Sequence, residues 1–353
     1  MSGEHAGLTS HAWTQGAPPI HNGYGLKVRN AGFRTAFGLL IGSLPYAFAR
    51  FGILAMWSIG CVLWVVAAFS GAREISAQLT PALGPAWLIA CLAGAIWVWA
   101  TALRRALHFL GCGHVAVLTA LITRGQAGDR RESMLDYGEA VVLRRFGETA
   151  VLFGMTRLVR CNLRAFRASF DRTCQETSTR WPGCHSILKS MVLLALTGYL
   201  EKVILSYNLA RGEGDPWAVM REGFVYFAQN AGPMLKSSAR VALLEKVSTL
   251  VLAVLLLASA GLVVFVLPDA VQPQGSAIAG LIAILLTGAL RSAFITPLFL
   301  IMMIVRFHVL IENQALDQDW QDRLASLPGT FGTLAPGFVM PRGMRGFWPG
   351  SGR

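Results

Sequence analysis

Charge is scarce in this chain: Asp, Glu, Lys and Arg make up 14% of 353 residues, and the 19 acids are outnumbered by 31 bases. An ordinary soluble domain carries about 25% charged residues, so a fully water-facing surface is excluded. Catalytic signatures are missing too. There is no GxSxG, no HExxH and no pair of acids one turn apart in an apolar run, which argues against acyl-transfer and zinc-protease chemistry. The stretch RGEGDP at 211–216 has no following Lys-Ser/Thr, so it reads as a turn and not as a phosphate cradle. No recognised nucleic-acid module accompanies the net charge of +12. The six cysteines, at 61, 91, 112, 161, 174 and 184, form no CxxC and read as reduced thiols. Cys174, Cys184 and His185 lack a fourth ligand for zinc, and Gly111-Cys112-Gly113-His114 reads as a packed small-residue turn. His108 and His114, six apart, do not share a helix face. The expectation is a non-enzyme with no metal and no cofactor. The first thirty residues hold no apolar core, which predicts a polar tail and no cleavable signal peptide.

What the chain does have is long apolar runs. Hydrophobic residues make 54% of it and its mean hydropathy is +0.50. Roughly 20 apolar residues cross a hydrocarbon core, and four stretches qualify: Phe51 to Ser70, Leu83 to Leu103, Val247 to Leu267 and Ala277 to Val305. Unsatisfied backbone groups are excluded from lipid, so each is predicted helical. The fold class is all-α: a polytopic membrane protein of two transmembrane hairpins with interfacial or broken amphipathic helices.

The bases supply an orientation. Arg104 to Lys189 holds fourteen Lys and Arg, the connection from Gly71 to Ala82 one, and that from Pro268 to Ser276 none. The positive-inside rule then puts both chain ends and the middle segment on the cytoplasmic side of a plasma or inner membrane. The reading divides the chain into a polar cytoplasmic tail (1–35), a first membrane hairpin with flanking helices (36–124), a basic amphipathic cytoplasmic segment (125–190), a second membrane region with a broken helix and a hairpin (191–312), and a cytoplasmic tail (313–353).

Four stretches are ambiguous. Phe37 to Ala49, with Pro45, reads as an interfacial or kinked lead-in helix. Ala106 to Ile122 reads as a long helix continuing past the membrane or as a re-entrant piece packed in protein. Residues 186–210 carry Glu201 and Lys202 inside an apolar run, which suggests a partial or broken helix. The segment from Asp215 has helix-start chemistry in Asp215 and Pro216, then an apolar face broken by Pro233, and reads as a surface helix leading into the third span. In the middle segment Arg144, Arg145, Arg157, Arg160, Arg164 and Arg167 lie around amphipathic helices that either rest on anionic lipid or a partner, or form a solvated face.

Three stretches carry a resemblance: YLEKVILSYNLA, REGFVYFAQNAGPMLKSSARVALLEKVSTLVLAVLL and SAFITPLFLIMMIVRFHVLIENQALDQD. Their order, over about residues 190–320, resembles the C-terminal half of the choline transporter-like family. The matching positions are Asn208, Glu245, Lys246, Val247, Thr249 and Glu312, with Glu201, Lys202, Arg221 and Glu222 as looser matches. Members of that family have more spans than the four read here. The resemblance implies movement of a quaternary ammonium or another small organic cation.

Arg291, in the middle of the last run, is the charge that needs an explanation. The run is long enough to slide, letting the guanidinium snorkel to a headgroup phosphate. If Arg291 stays deep, isolation costs ~2.5–3.5 kcal/mol on insertion scales and demands an acid. Glu201, Glu245 and Glu312 are the acids near apolar runs, and Glu201 is the sharper expectation. Two functions follow. A transporter of a small organic cation would gather Glu201, Tyr207, Asn208, Glu245 and Arg291 along its pathway. A non-catalytic scaffold would instead dock acidic cytoplasmic partners or anionic lipid on its basic middle segment. Expected partners are membrane lipids, the organic cation, and further copies of the chain or other membrane subunits, with nucleic acid excluded. The Trp-rich first hairpin reads as interface belt or packing in preference to a cation cage.

Overall fold

In the computed structural model, which describes residues 23–128, 133–147, 199–268 and 272–319, every regular element is a helix. Runs with no water-facing stripe leave the backbone one way to satisfy its polar groups in lipid, and four helices are long and apolar enough to cross a membrane. The short α1 (Phe33–Gly42) is followed by α2 (Leu44–Gln78), then α3 (Leu83–Val98). A π turn at Trp99–Leu103 carries α3 without interruption into α4 (Arg104–Thr123). After α5 (Met134–Phe146) come α6 (residues 199–211), α7 (Pro216–Gln229) and α8 (Ala231–Phe265). The chain returns as α9 (Gln272–Leu290), which runs through a second π turn, Arg291–Ile295, into α10 (Thr296–Ile311).

The two hairpins, α2 with α3–α4 and α8 with α9–α10, lie side by side in the order α3, α2, α9, α8. Each helix has two regimes. Toward the connecting turns its apolar side chains are exposed, for example Ile59 and Leu63 on α2, Ile89 and Ile96 on α3, Val254 and Leu262 on α8, and Ile282 on α9. At 1.5 Å per residue the 35 residues of α8 would run roughly 52 Å, well beyond a ~30 Å hydrocarbon core. The excess is the other regime. Large exposed apolar side chains stop at Trp99 on the first return helix and at Ile284 on the second, and start on α8 only at Leu243. Beyond that level α4 and α10 are buried almost all round, against α5, α6, α7 and the lower turns of α2 and α8. Arg104, Arg105 and Lys246 are exposed at the boundary, as expected where a hydrocarbon layer gives way to headgroups.

Several sequence readings are refined. Ala106 to Ile122 does continue the second span as one helix, buried in protein. The lead-in is two helices, because the chain turns at Ser43 and Pro45 then occupies the first turn of α2, where a missing N–H costs nothing. Glu201 and Lys202 do not break their helix: residues 199–211 are continuously helical, and Glu201 reaches His108 on α4. The segment after Asp215 is no surface helix. Asp215 caps it, its Oδ2 accepting from Ala218 N at 3.0 Å, but Val219, Met220 and Phe224 to Ala228 are buried. Its stop is Asn230 and not Pro233, which sits in the first turn of α8.

Candidate functional site

Glu245 lies on α8 at the edge of its lipid-type surface, between the exposed Leu244 and Val247, yet its own side chain is only 8% exposed. Three elements aim donors at it. From the second π turn Arg291 donates Nη2 at 3.1 Å and Nε at 3.3 Å to Oε1. Thr296 adds its hydroxyl to the same oxygen at 2.9 Å. From α6 the Tyr199 hydroxyl donates to Oε2, and burial, then its bond to Glu245, holds that phenol above its ordinary pKa. A buried carboxylate with donors on both oxygens and a guanidinium counter-charge is stable as the anion. The Arg291 side chain is 38% exposed, so the cation of the pair reaches outward while the anion stays inside.

The π turn makes this arrangement. Its i→i+5 bonding runs from Thr296 N–H to Arg291 C=O, and it brings two residues five apart onto the side facing α8. The same turn faces α2 with its other side: Ser292 Oγ accepts from Arg50 Nε at 3.0 Å, and Phe294 packs edge-on against Phe48 and obliquely against Phe51, at 5.9 and 6.1 Å. The π turn is therefore the joint between the hairpins.

Arg291 pairs with Glu245 and not with Glu201. Glu201 instead approaches His108 Nδ1 at 3.9 Å. Tyr207 and Asn208, both buried, lie two turns further along α6. There Tyr207 donates to Glu222 at 3.1 Å, Glu222 pairs with Arg211 at 3.6 Å, and the Asn208 amide donates to Pro216 C=O at 2.6 Å. Of the five residues expected along one pathway, only Glu245 and Arg291 meet directly. The others share α6, a helix that touches the Glu245 site through Tyr199.

Arg145, expected on lipid or a partner, is otherwise committed. Its Nε donates to Asn208 Oδ1 at 2.8 Å, and its terminal nitrogens hold the carbonyls of Gly212, Glu213 and Gly214 at 3.1, 3.2 and 2.9 Å. A turn in which Gly212 and Gly214 adopt positive φ presents consecutive carbonyls, and a guanidinium fork matches them. Arg144, on the opposite side, is exposed. Arg157, Arg160, Arg164 and Arg167 lie outside the described residues, as do Cys174, Cys184 and His185. No group of three or more potential metal ligands occurs among the described residues.

Sequence reading missed a second polar chain in the core. Tyr24 OH meets His308 Nδ1 at 2.7 Å, His308 Nε2 meets Ser206 Oγ at 2.9 Å, and Ser206 meets Thr119 Oγ1 at 2.7 Å. His308 and Ser206 are fully buried, and with both ring nitrogens engaged the imidazole is satisfied without a charge. A similar pair joins His114 Nε2 to Ser43 Oγ at 2.9 Å, with Tyr46 stacked on the ring. In the first hairpin Trp57 lies against Trp99 at 6.0 Å and Trp64 donates to Cys91 C=O at 3.1 Å, while Trp97 is exposed.

The fold and site define an all-helical polytopic membrane protein with a charged joint between two hairpins. Comparison with protein-family models, with curated proteins and with solved structures finds no match to the chain.

Proposed function

We propose that this membrane protein transports a small organic cation across the plasma or inner membrane, with both chain ends cytoplasmic, and that Glu245 is the group the cation meets. The observation that carries the reading is the asymmetry of the Glu245–Arg291 pair: a carboxylate fixed by the Tyr199 and Thr296 hydroxyls faces a tethered guanidinium that is itself 38% exposed. Arg291 then acts as a resident counter-ion. A cation arriving at the joint takes its place on Glu245, the guanidinium swings toward headgroups or water, and the π turn accommodates the change because its backbone bonding already departs from the α pattern. A carboxylate left alone at this depth costs several kcal/mol, so exchange of one cation for another is favoured over simple release. The resemblance to choline transporter-like proteins at Asn208, Glu245, Lys246, Val247, Thr249 and Glu312 supports the same substrate class.

Uptake of radiolabelled choline into proteoliposomes tests the proposal. Wild type is expected to accumulate it, Glu245→Gln to lose uptake, and Glu245→Asp to keep part of it. Absence of uptake by wild type across a panel of small quaternary and primary ammonium compounds would remove the proposal.

A further inference from the structure

Arg50 is the charge that neither the Glu245 site nor the buried histidine chain uses. It lies on α2 where that helix crosses the second π turn, flanked along its own helix by Phe48 and Phe51, which pack on Phe294. Its side chain is partly buried, and among the described residues its hydrogen bond is Nε to Ser292 Oγ at 3.0 Å. The acids in ion pairs among the described residues are Glu201, Glu222, Glu245 and Glu312, and none of them pairs with Arg50. Across from it α4 has no side chain at Gly111: a Cβ there would stand 3.9 Å from Arg50 Nη1. A permanently charged guanidinium held beside aromatic rings with no counter-ion among the described residues is unfavourable unless an anion joins it.

We propose that Arg50 and Ser292 form a binding site for a phosphate oxyanion at the joint between the hairpins. Three donors are left for the ligand. The two terminal nitrogens of Arg50 present the planar fork that matches two phosphate oxygens. Ser292, having accepted from Arg50 Nε, retains its own O–H to donate. The position selects the ligand class. Arg50 sits two residues from Phe48, where the large exposed apolar side chains of α2 begin, near the exposed bases Arg104, Arg105 and Lys246 that mark the same edge on the other helices, the depth at which the phosphodiester of a lipid headgroup lies. A lipid bound there would wedge its headgroup against the π turn and its chains along α2 and α9. This site is separate from Glu245, because Ser292 and Arg291 leave the π turn toward different helices.

The test uses the purified full chain in dodecyl maltoside, with thermal unfolding and native mass spectrometry as readouts. The probes are dioleoyl phosphatidylglycerol, dioleoylglycerol as the same chains without phosphate, and inorganic phosphate. Phosphatidylglycerol is expected to raise the melting temperature and to remain bound as a discrete adduct, while dioleoylglycerol does neither. Arg50→Gln should weaken lipid binding by roughly tenfold or more, the loss of a charge-assisted contact, Arg50→Lys should retain part of it, and Arg306→Gln, an exposed base on α10, should leave it unchanged. Stabilisation by inorganic phosphate as well as by the lipid identifies a free oxyanion as a further ligand of the same donors. The proposal is overturned if wild type prefers neither phosphate source to dioleoylglycerol. It is equally overturned if Arg50→Gln and Arg50→Lys both bind as wild type does. Choline uptake enters neither readout, so failure here and failure of the transport reading are distinguishable.

Discussion

Replacing either partner of the Glu245–Arg291 pair by glutamine should cost different amounts, and the order follows from burial. Arg291→Gln strands a carboxylate that is 8% exposed, with only the Tyr199 and Thr296 hydroxyls to hold its charge. Removing one partner of a buried pair costs about 3–5 kcal/mol. Glu245→Gln strands a guanidinium that is 38% exposed and able to turn to water. What it loses is the charge assistance in the bonds from Tyr199, Thr296 and Arg291, about 0.5–1 kcal/mol in each, or roughly 2 kcal/mol together. The double substitution removes both charges and should cost about as much as Glu245→Gln alone, so the coupling equals the whole Arg291→Gln loss, about 3–5 kcal/mol. Equilibrium unfolding in mixed detergent micelles, followed by tryptophan fluorescence, measures all four proteins. The reasoning is refuted if Glu245→Gln is the more damaging change, or if the two losses add within ~0.5 kcal/mol.

Other sites yield sharp contrasts. Arg145→Gln should destabilise by about 2–3 kcal/mol because three carbonyls of the 211–216 turn lose a charged donor, while neighbouring Arg144→Gln should stay within ~0.5 kcal/mol; thermal unfolding of the two variants decides it. Gly138→Ala should cost at least 1–3 kcal/mol, since its Cβ would stand 2.7 Å from the Gly113 carbonyl where α4 and α5 cross, and Gly60→Ala, which faces open space, should be neutral or slightly stabilising in the same assay. Burial raises the pKa of the Tyr24 and Tyr207 phenols above the ordinary value, with neighbouring Tyr226 and Glu222 adding to the shift respectively. The folded state therefore holds these protons more tightly, so stability is full below about pH 10 and falls as pH rises beyond it, visible as phenolate absorbance that appears together with unfolding. In a background without the six native cysteines, Thr80→Cys and Gln126→Cys, exposed near opposite ends of the hairpin, should be labelled by impermeant maleimide from opposite sides of the membrane, and labelling of both from one side would break the topology.

The spans were legible because lipid is an undiscriminating solvent: any run of sufficient length and apolarity must be a helix there, whatever it packs against. Inside the protein that economy disappears. The apolar faces of α6 and α7 look alike whether they rest on a membrane surface or in a core, so residues 216–229 read as surface and proved buried. Glu201 was the natural partner for Arg291 in one dimension, as the charge set deepest in an apolar run. The π turn decides otherwise, and its extra residue per turn has no compositional mark. Thr296 and Tyr199 escaped for the same reason, since a hydroxyl in an apolar run is informative only once its neighbour is known. Arg145 was misread because an exposed base and a carbonyl clamp differ only in what lies opposite. By contrast Asp215-Pro216 and the glycines of 211–216 were read correctly, because capping and positive φ are local properties.

The two π turns answer a requirement common to both hairpins. Each return helix must face lipid along its upper part and other helices along its lower part, and an unbroken α-helix carries a single set of faces through both. One inserted residue turns the lower part by about 100° relative to the upper. In the first hairpin the insertion lies at Trp99–Leu103 and precedes the buried run from Gly111 to Ala120; in the second it lies at Arg291–Ile295 and precedes the buried run around His308. Leu103 and Ala289, next to or within the two turns, share one apolar cluster with Leu54 of α2, so the re-aiming occurs at nearly the same depth in both. At that depth the chain sets its intramembrane-edge charges, Arg50 toward Ser292 and Glu245 toward Arg291 and Thr296. A change of helical phase and a change of solvent thus coincide, and the widened turn that solves the packing problem also supplies the polar side chains that stand on either side of it.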